Sequence, residues 1–582
     1  MKQATDSVSP PSPAETRPPR AAATLVVVRD ALDAAQGGVE VLLSRRAERG
    51  DHNSGAWVFP GGVVDPGDRQ SHACCAGLDD AAASARLGLA EGGLDYYVAA
   101  VRECFEESGL LFATDRRGEM VGFNAIDAGD ADNAGARLAA WRGPLHRGER
   151  TLGELCREFG LTLALDGVSY LSHWLTPPAR AKRFDTRFFI TAVPHGQVAA
   201  HDGSELVEQL WLRPADALAR SHELKLLTPT QKTLETLARF ENVSTLLEWA
   251  GGPREVSLIM PRVGTGSRGM RPVIPDEPAY AELGRLDPQG AGTASYELQP
   301  GVAVRLSPRL IRVTANNGNM MTGPGTNTYL LGGGEANEWA VIDPGPPDDA
   351  HVEAILVAAP GPIRWIFVTH THKDHSPATV ALKARTGARV FGRIADHPQW
   401  QDLSFAPDQH LAGGERFTLP GPYGEASTLL VVHTPGHASN HLCYLLEEEK
   451  LLFTGDHVMQ ASTVVINPPD GDMAAYIASL LELCGRDLDW LAPGHGFLMA
   501  QPQRAMQAIV AHRLKREAKV FNAVRELGPA GADTLLATVY ADVPERLHAM
   551  ALRSLTAHLF KLRDEAIVVE ADGLWSLPAG GA

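Results

Sequence analysis

Thr369-His370-Thr371-His372-Lys373-Asp374-His375 follows directly on the apolar run 363–368, whose Ile, Trp, Ile, Phe and Val side chains read as a buried strand. Four potential metal ligands, His370, His372, Asp374 and His375, therefore stand where a strand ends and its loop begins. That is where open α/β sheets build their sites. His370 and His372 are two residues apart, so in extended backbone they point to the same side. Asp374 and His375 then turn back over the same space. A lone histidine here would serve as an ordinary surface-loop residue. Four ligand types so close together after a buried strand point to a metal.

The chain is 582 residues long, too long for one hydrophobic core, so three or four domains are expected. Its formal charge of -17 argues against general polyanion binding, though it leaves room for a local basic patch. Cys74, Cys75, Cys104, Cys156, Cys443 and Cys484 have neither metal-type spacing nor a dense disulfide pattern, which suits reduced thiols and a cytoplasmic protein. No apolar stretch approaches the roughly 18 residues of a membrane helix, so no membrane partner is expected. Residues 1–20, rich in Pro, Ser and Thr, read as a disordered tail and not a targeting segment.

Order is expected from about Ala22, with residues 23–28 as a strand and 39–43 as its partner. Residues 57–68 read as a strand entering a Gly-rich turn, and residues 99–110 as a helix closed by Gly109. On that helix Glu103 neighbours Glu106 and Glu107 by the three- and four-residue rule, so three carboxylates share a face. They repel one another unless something positive sits between them, and a divalent ion with oxygen ligands would serve. Gly62 and Arg102-Glu103-Cys104-Phe105-Glu106-Glu107-Ser108-Gly109-Leu110 resemble the Nudix hydrolase signature. Two departures stand out: Asp68 replaces the family's usual Glu, and 33 residues separate it from Arg102, a far longer spacer than usual. The long insertion at 74–93, Trp174-Leu175-Thr176-Pro177 and the stretch 183–189 are similar to the coenzyme A diphosphatase branch. The resemblance implies a Nudix α/β/α sandwich over 21–250. Glu103, Glu106 and Glu107 would bind Mg²⁺ or Mn²⁺, with Glu103 and Glu107 as catalytic candidates and Arg102 in a structural role. The reaction implied is hydrolysis of a diphosphate linkage in a coenzyme A or nucleoside diphosphate derivative. A Nudix fold without activity is the alternative.

Residues 251–298, with Gly251-Gly252-Pro253, Gly264-Thr265-Gly266 and the prolines at 272–278, read as a short apolar segment followed by a linker. From Ala303 short strands and turns follow, with strands at 327–331 and 339–342 and a helix at 350–358. Three more strands release polar residues: 428–432 into His433-Thr434-Pro435-Gly436-His437, 451–453 into Thr454-Gly455-Asp456, and 488–491 into Ala492-Pro493-Gly494-His495. Together with the opening motif these resemble the metallo-β-lactamase superfamily over 299–500. The resemblance implies an αββα sandwich with a dinuclear site. His370, His372 and His437 would hold one ion, Asp374, His375 and His495 the other, and Asp456 would bridge them. Asp374 and Asp456 would act in catalysis. Imidazole and carboxylate ligands without thiolate suit two Zn²⁺ and also admit iron or manganese. Such a pair would supply a bridging hydroxide by lowering the pKa of water toward about 7. His441 is a candidate substrate-binding residue with a structural role as alternative. His457 reads as packing behind the site, His433 as a loop support, and His397 and His410 as surface residues.

Residues 501–578 read as helices followed by a strand-like 566–570 that turns into 574–577, and they resemble a small winged-helix domain. Residues 511–520 carry dense positive charge, yet the wing holds Asp564, Glu565, Glu570 and Asp572. The fold class is thus multi-domain α/β. The leading function is a metal-dependent hydrolase acting on a small-molecule ester, thioester or phosphodiester, with a second Nudix site. An endoribonuclease acting on single-stranded RNA and a non-enzymatic, metal-stabilised nucleic-acid-binding or scaffold protein are the alternatives. The sequence sets no oligomeric state.

Overall fold

A computed structural model describes residues 18–32, 37–48, 54–122, 134–180, 182–460 and 463–578. It divides into two compact units, 1–263 with 289–291, and 264–288 with 292–582. Residues 1–17 of the expected tail lie outside the described residues, and the first strand begins at Arg20.

In the first unit Arg20–Asp30 lies between Val39–Arg46, antiparallel, and Phe184–Ala192, parallel, in an eight-stranded sheet. The helix Gly93–Ser108 lays Val101, Cys104 and Phe105 against Ala23, Leu25 and Phe189 of that sheet. It ends at Gly109 with φ 72°, the left-handed stop expected of a C-terminal glycine. The Gly-rich segment is more ordered than a turn. Trp57–Val58 and Gly61–Val63 both pair into the sheet, and Pro66–Arg69 forms a helical turn capped by Asp65. The long insertion folds into the helix Asp80–Leu87. That helix comes so near that a Cβ on Gly93 would lie 2.3 Å from the Ser84 amide nitrogen.

The segment expected as a linker, 251–298, is built into both units instead. Leu258–Ile259 adds a parallel strand beside Ser169–Leu175 in the first sheet. In the second unit the helix Tyr280–Leu286 delivers Glu282 to Arg312, which donates to it from both terminal nitrogens at 2.6 and 2.8 Å. Its Pro and Gly residues punctuate short elements, and Val273, Ala279 and Leu283 pack with Phe497 in a small core.

The second unit has four layers. A seven-stranded sheet runs from Ala303–Ser307 to Gln409–His410, and a six-stranded sheet from Arg416–Pro420 to Met499–Ala500. Alternation along the strands sends Ala340, Ile342 and Phe367 inward against Leu429, Val431 and Tyr444. Val341 and Ile366 face outward to Val352, Ile355 and Leu382 of the helices Asp349–Ala358 and Thr379–Thr386. On the far side Met473–Cys484 and the start of Pro502–Leu527 cover Leu430, Leu452 and Leu491.

The 26-residue helix Pro502–Leu527, about 39 Å long, then leaves the sandwich. Its Val520 and Val524 join Leu535, Val539, Leu555, Leu559 and Trp575 in a core of their own. That core is closed by Ala532–Val539, His548–Asp564 and the hairpin Val569–Ala571/Leu574–Ser576. Among the described residues no helix is long and apolar enough to cross a membrane.

Candidate metal centre

The strand Ile363–Phe367 carries the motif to the edge between the two sheets, where three strand ends of the other sheet meet it. Two groups of ligand atoms form there, each within 4.8 Å of one another: His370, His372 and His437; and Asp374, His375, Asp456 and His495. In the first, His372 Nδ1 lies 3.0 Å from Nε2 of both His370 and His437. In the second, Asp456 Oδ1 stands 3.3 Å from His375 Nε2 and 3.2 Å from His495 Nε2. Asp374 Oδ2 lies 3.5 and 3.4 Å from the same two nitrogens. The other oxygen of Asp456, Oδ2, faces His437 Nε2 at 3.7 Å. One carboxylate thus spans both groups.

The outer ring nitrogens are already committed. His375 Nδ1 donates to Asp343 Oδ2 at 2.9 Å, His437 Nδ1 to the Val465 carbonyl at 2.8 Å, and His495 Nδ1 to the Gly325 carbonyl at 3.1 Å. Thr369 donates its hydroxyl to Asp343 and accepts from His370 Nδ1 at 3.0 Å. These bonds turn the opposite nitrogens toward the centre. Inside, His375 Nε2, His495 Nε2 and Asp456 Oδ1 are buried with no hydrogen-bond partner. Buried polar atoms without partners are costly, and a divalent ion would satisfy all three. The histidine and aspartate clusters fit a metal site. Glycine is required beside them, since a Cβ on Gly494 would lie 2.8 Å from Asp456 Oδ1 and from the His375 ring.

The two groups differ in charge. Burial pushes His370 well below the usual histidine range, His437 below it and His372 down to about 3, so all three are neutral near pH 7. Burial also opposes charge on His375 and His495. There the carboxylates outweigh it, raising His375 well up and His495 to about 9. Imidazolium must lose its proton to bind an ion. Affinity at the second group should therefore rise with pH toward about 9, while the first group's, whose histidines are already neutral near pH 7, changes less. Zinc titrations against a competing chelator at about pH 7 and about pH 9 should resolve one weakly pH-dependent and one strengthening class.

Asp343 stands directly after the strand Glu338–Ile342. It accepts from the Thr369 amide and hydroxyl, each at 2.7 Å, besides His375. Asp343→Ala frees both His375 and Thr369, and metal affinity should fall about 10–100-fold, measured by the same titration.

His441 does not line the substrate side. It is fully buried, its Nδ1 bonded to Thr434 Oγ1 at 2.9 Å, and its Nε2 accepts the Asp456 amide proton at 3.2 Å. Four residues beyond His437 the chain has already turned into the strand Leu442–Leu446, which carries this ring behind the site. His457 packs between His441 and Tyr476, its ring centroid 5.4 and 4.8 Å from theirs. His433 Nε2 bonds the Ser439 carbonyl of its own loop, and His397 and His410 are exposed.

In the first unit, Arg102 lies among the acidic residues expected to hold a cation. It donates to Asp68 Oδ1 at 2.7 Å, Glu103 Oε1 at 2.9 Å and Glu106 Oε1 at 3.1 Å. Glu107 accepts the Gly61 amide at 3.0 Å. Burial raises Glu107 well above the carboxylate range and Glu106 to about 7. A cation would relieve that cost. Even so, the glutamate oxygens are not gathered as the histidine centre is: among the described residues only the two groups above bring three or more ligand atoms together.

A cavity of about 690 Å³ opens onto the centre. His372, Asp374, His437, Asp456 and His495 form its floor, while Tyr540, Leu547, Met550 and Arg553 of the C-terminal domain form part of its wall. An αββα sandwich with a histidine–aspartate centre at its sheet edge, facing a walled cavity, defines a metal-site hydrolase. Residues 321–495 match the metallo-beta-lactamase superfamily, 532–575 the beta-lactamase associated winged helix domain, and 90–237 the NUDT19 Nudix domain. "Lactamase-like protein vrtG" of Penicillium aethiopicum is 30% identical over 286 residues, 47% of this chain and 86% of its own length. The Drosophila melanogaster "Beta-lactamase-like protein 2 homolog" is 32% identical over 278 residues, 45% and 90%. An Aspergillus chevalieri "Atrochrysone carboxyl ACP thioesterase" is 29% identical over 284 residues, 46% and 86%. The chain belongs to the metallo-β-lactamase superfamily, and is a hydrolase that also carries a Nudix domain and a winged helix.

Proposed function

We propose that the cavity hydrolyses an acyl thioester at a dinuclear centre, with His370, His372 and His437 on one ion, Asp374, His375 and His495 on the other, and Asp456 between them. The observation that carries this reading is the wall. Met320, Met321, Met459, Val464, Leu547 and Met550 give it an apolar lining that accepts an acyl chain. The thioesterase named among the relatives supports the same chemistry. Two divalent ions, zinc by ligand type, would supply hydroxide at neutral pH and draw charge from the attacked carbonyl. Asp374 lines the cavity as a carboxylate: burial opposes its charge, but His375 and His495 hold it down to about 2. It can therefore accept a hydrogen bond from the attacking water and orient it. The water oxygen joins the carbonyl carbon and the carbon–sulfur bond breaks. The thiolate takes one water proton, and the other leaves with the carboxylic acid product.

The nucleic-acid alternative has less support. In the basic helix Arg513 is buried, while Arg516 and Lys519 are tied to Asp542 at 2.9 and 3.0 Å. The wing's Glu565, Glu570 and Asp572 are exposed. A panel of acyl thioesters, lactones and labelled single-stranded RNA, assayed with zinc, tests the choice. Thioester turnover without RNA cleavage is expected, and RNA cleavage without ester turnover would overturn the proposal.

For the Nudix domain we propose magnesium-dependent hydrolysis of a diphosphate linkage by Glu103, Glu106 and Glu107. The proposal rests on their shared burial beside the Gly61–Val63 strand. Turnover of coenzyme A or nucleoside diphosphate sugars by wild type, lost in Glu107→Gln, is the expected result; no metal-dependent turnover on any of them would sink it.

A further inference from the structure

The cavity wall holds charge that neither the centre nor the fold uses. Lys373 follows His372 directly and is exposed on the cavity. Arg553, from the helix His548–Asp564, reaches the same cavity and lays its guanidinium 5.4 Å from the ring centroid of Trp400. Among the described residues no carboxylate lies within 4.0 Å of either cation, although most arginines of this unit are paired.

Trp400 is placed with care. Gln401 bridges to His372, the Asp402 amide donates to the Thr371 carbonyl at 2.6 Å, and Thr371 Oγ1 donates to Gln401 Oε1 at 2.6 Å. These contacts hold the indole beside the ligand strand with φ at 70°, a left-handed conformation that a bulky residue adopts only when its surroundings impose it. Even so, the residue remains 53% exposed. An aromatic forced into a strained conformation and left open beside an unpaired arginine is better explained by a ligand than by packing.

The acids on this cavity are accounted for. Asp374 and Asp456 belong to the centre, and Asp470 accepts from Gln401 Nε2 at 2.9 Å and from Ser439 Oγ at 2.5 Å. Burial, and then the positive field of Arg513 and Arg516, lowers His512 on the same wall. The chain as a whole carries -17, yet away from the centre this wall is positive.

We infer that Arg553 on Trp400, with Lys373 on the same cavity, binds an anionic group on the substrate, so the thioester cleaved is one whose thiol arm ends in a phosphate. This rests on the thioester reading for its chemistry; the anion site stands on the wall alone. The apolar wall would take the acyl group, the centre the thioester carbon, and the Arg553 side of the wall the phosphate. The winged helix then acts as a substrate-binding wall. A carrier-protein arm and a free coenzyme share this chemistry.

The test separates binding from turnover. Phosphopantetheine and pantetheine differ by one phosphate and contain no diphosphate for the Nudix domain. Calorimetric titration of the full-length, zinc-loaded protein should show phosphopantetheine bound at least fivefold more tightly than pantetheine. Arg553→Met, which keeps an apolar stem over Trp400, and Lys373→Ala should each erase most of that preference while leaving pantetheine affinity and the melting temperature unchanged. Arg553→Lys should restore part of it. No preference in wild type, or one that survives in both charge-removing variants, overturns the inference. S-acetyl forms of both compounds, and acetylated coenzyme A against an acetylated carrier protein, then report turnover. Phosphate preference without turnover of any would reject the thioester reading and leave the anion site standing.

Discussion

Asp456→Ala should abolish thioester hydrolysis and leave the folded protein with fewer than two zinc ions per chain. Among the described residues Asp456 is the one side chain whose two oxygens face different ligand groups, Oδ1 toward His375 and His495 and Oδ2 toward His437. Removing it takes a negative charge from between two sets of imidazoles. It also removes the carboxylate that, after the opposing effect of burial, helps to raise His495 to about 9. The second group should be affected more, because only Asp374 would remain there as an anion. Charge stabilisation worth several kcal/mol at a metal centre corresponds, at about 1.36 kcal/mol per tenfold, to a loss of roughly 10³-fold or more. The readouts are kcat/KM on an acyl thioester and elemental analysis of the same sample. Near-normal turnover with two ions bound would remove Asp456 from the centre.

The largest effect on stability should come from Arg312. Its guanidinium is fully buried, donating to Glu282 from both terminal nitrogens, and Glu282 also accepts the Leu498 amide at 2.8 Å. Arg312→Met strands a buried carboxylate, which typically costs about 3–5 kcal/mol. The double variant Arg312→Met/Glu282→Leu should recover much of that loss, because an apolar pair can replace a buried ion pair. Recovery should be incomplete, since the Leu498 amide then loses its acceptor. Denaturant unfolding of the three variants, followed by tryptophan fluorescence, would show the order wild type, double, single. Equal stability of wild type and Arg312→Met would mean that Tyr280–Leu286 contributes little to holding the unit together.

Much of the centre was legible because its signals are local. Two histidines two apart beyond an apolar run define a side of one strand, and three more strands of the same kind each end in a polar residue beside glycine. The Nudix signature is equally local, since Glu103, Glu106 and Glu107 share a face by helix geometry alone. What the glutamates meet was not: Arg102 reaches back to Asp68, 34 residues earlier, through contacts set by packing.

The sequence by itself determined the order of the domains and which residue types stand at the strand ends, because strand and helix periodicity act over a few neighbours. Only the tertiary structure decided that His441 lies behind the centre and Asp343 beneath it. The same holds for Glu282 turning an expected linker into core and for Arg553 meeting Trp400 across the cavity. Each of those pairings closes a long loop of chain, and no local preference carries information across such a distance.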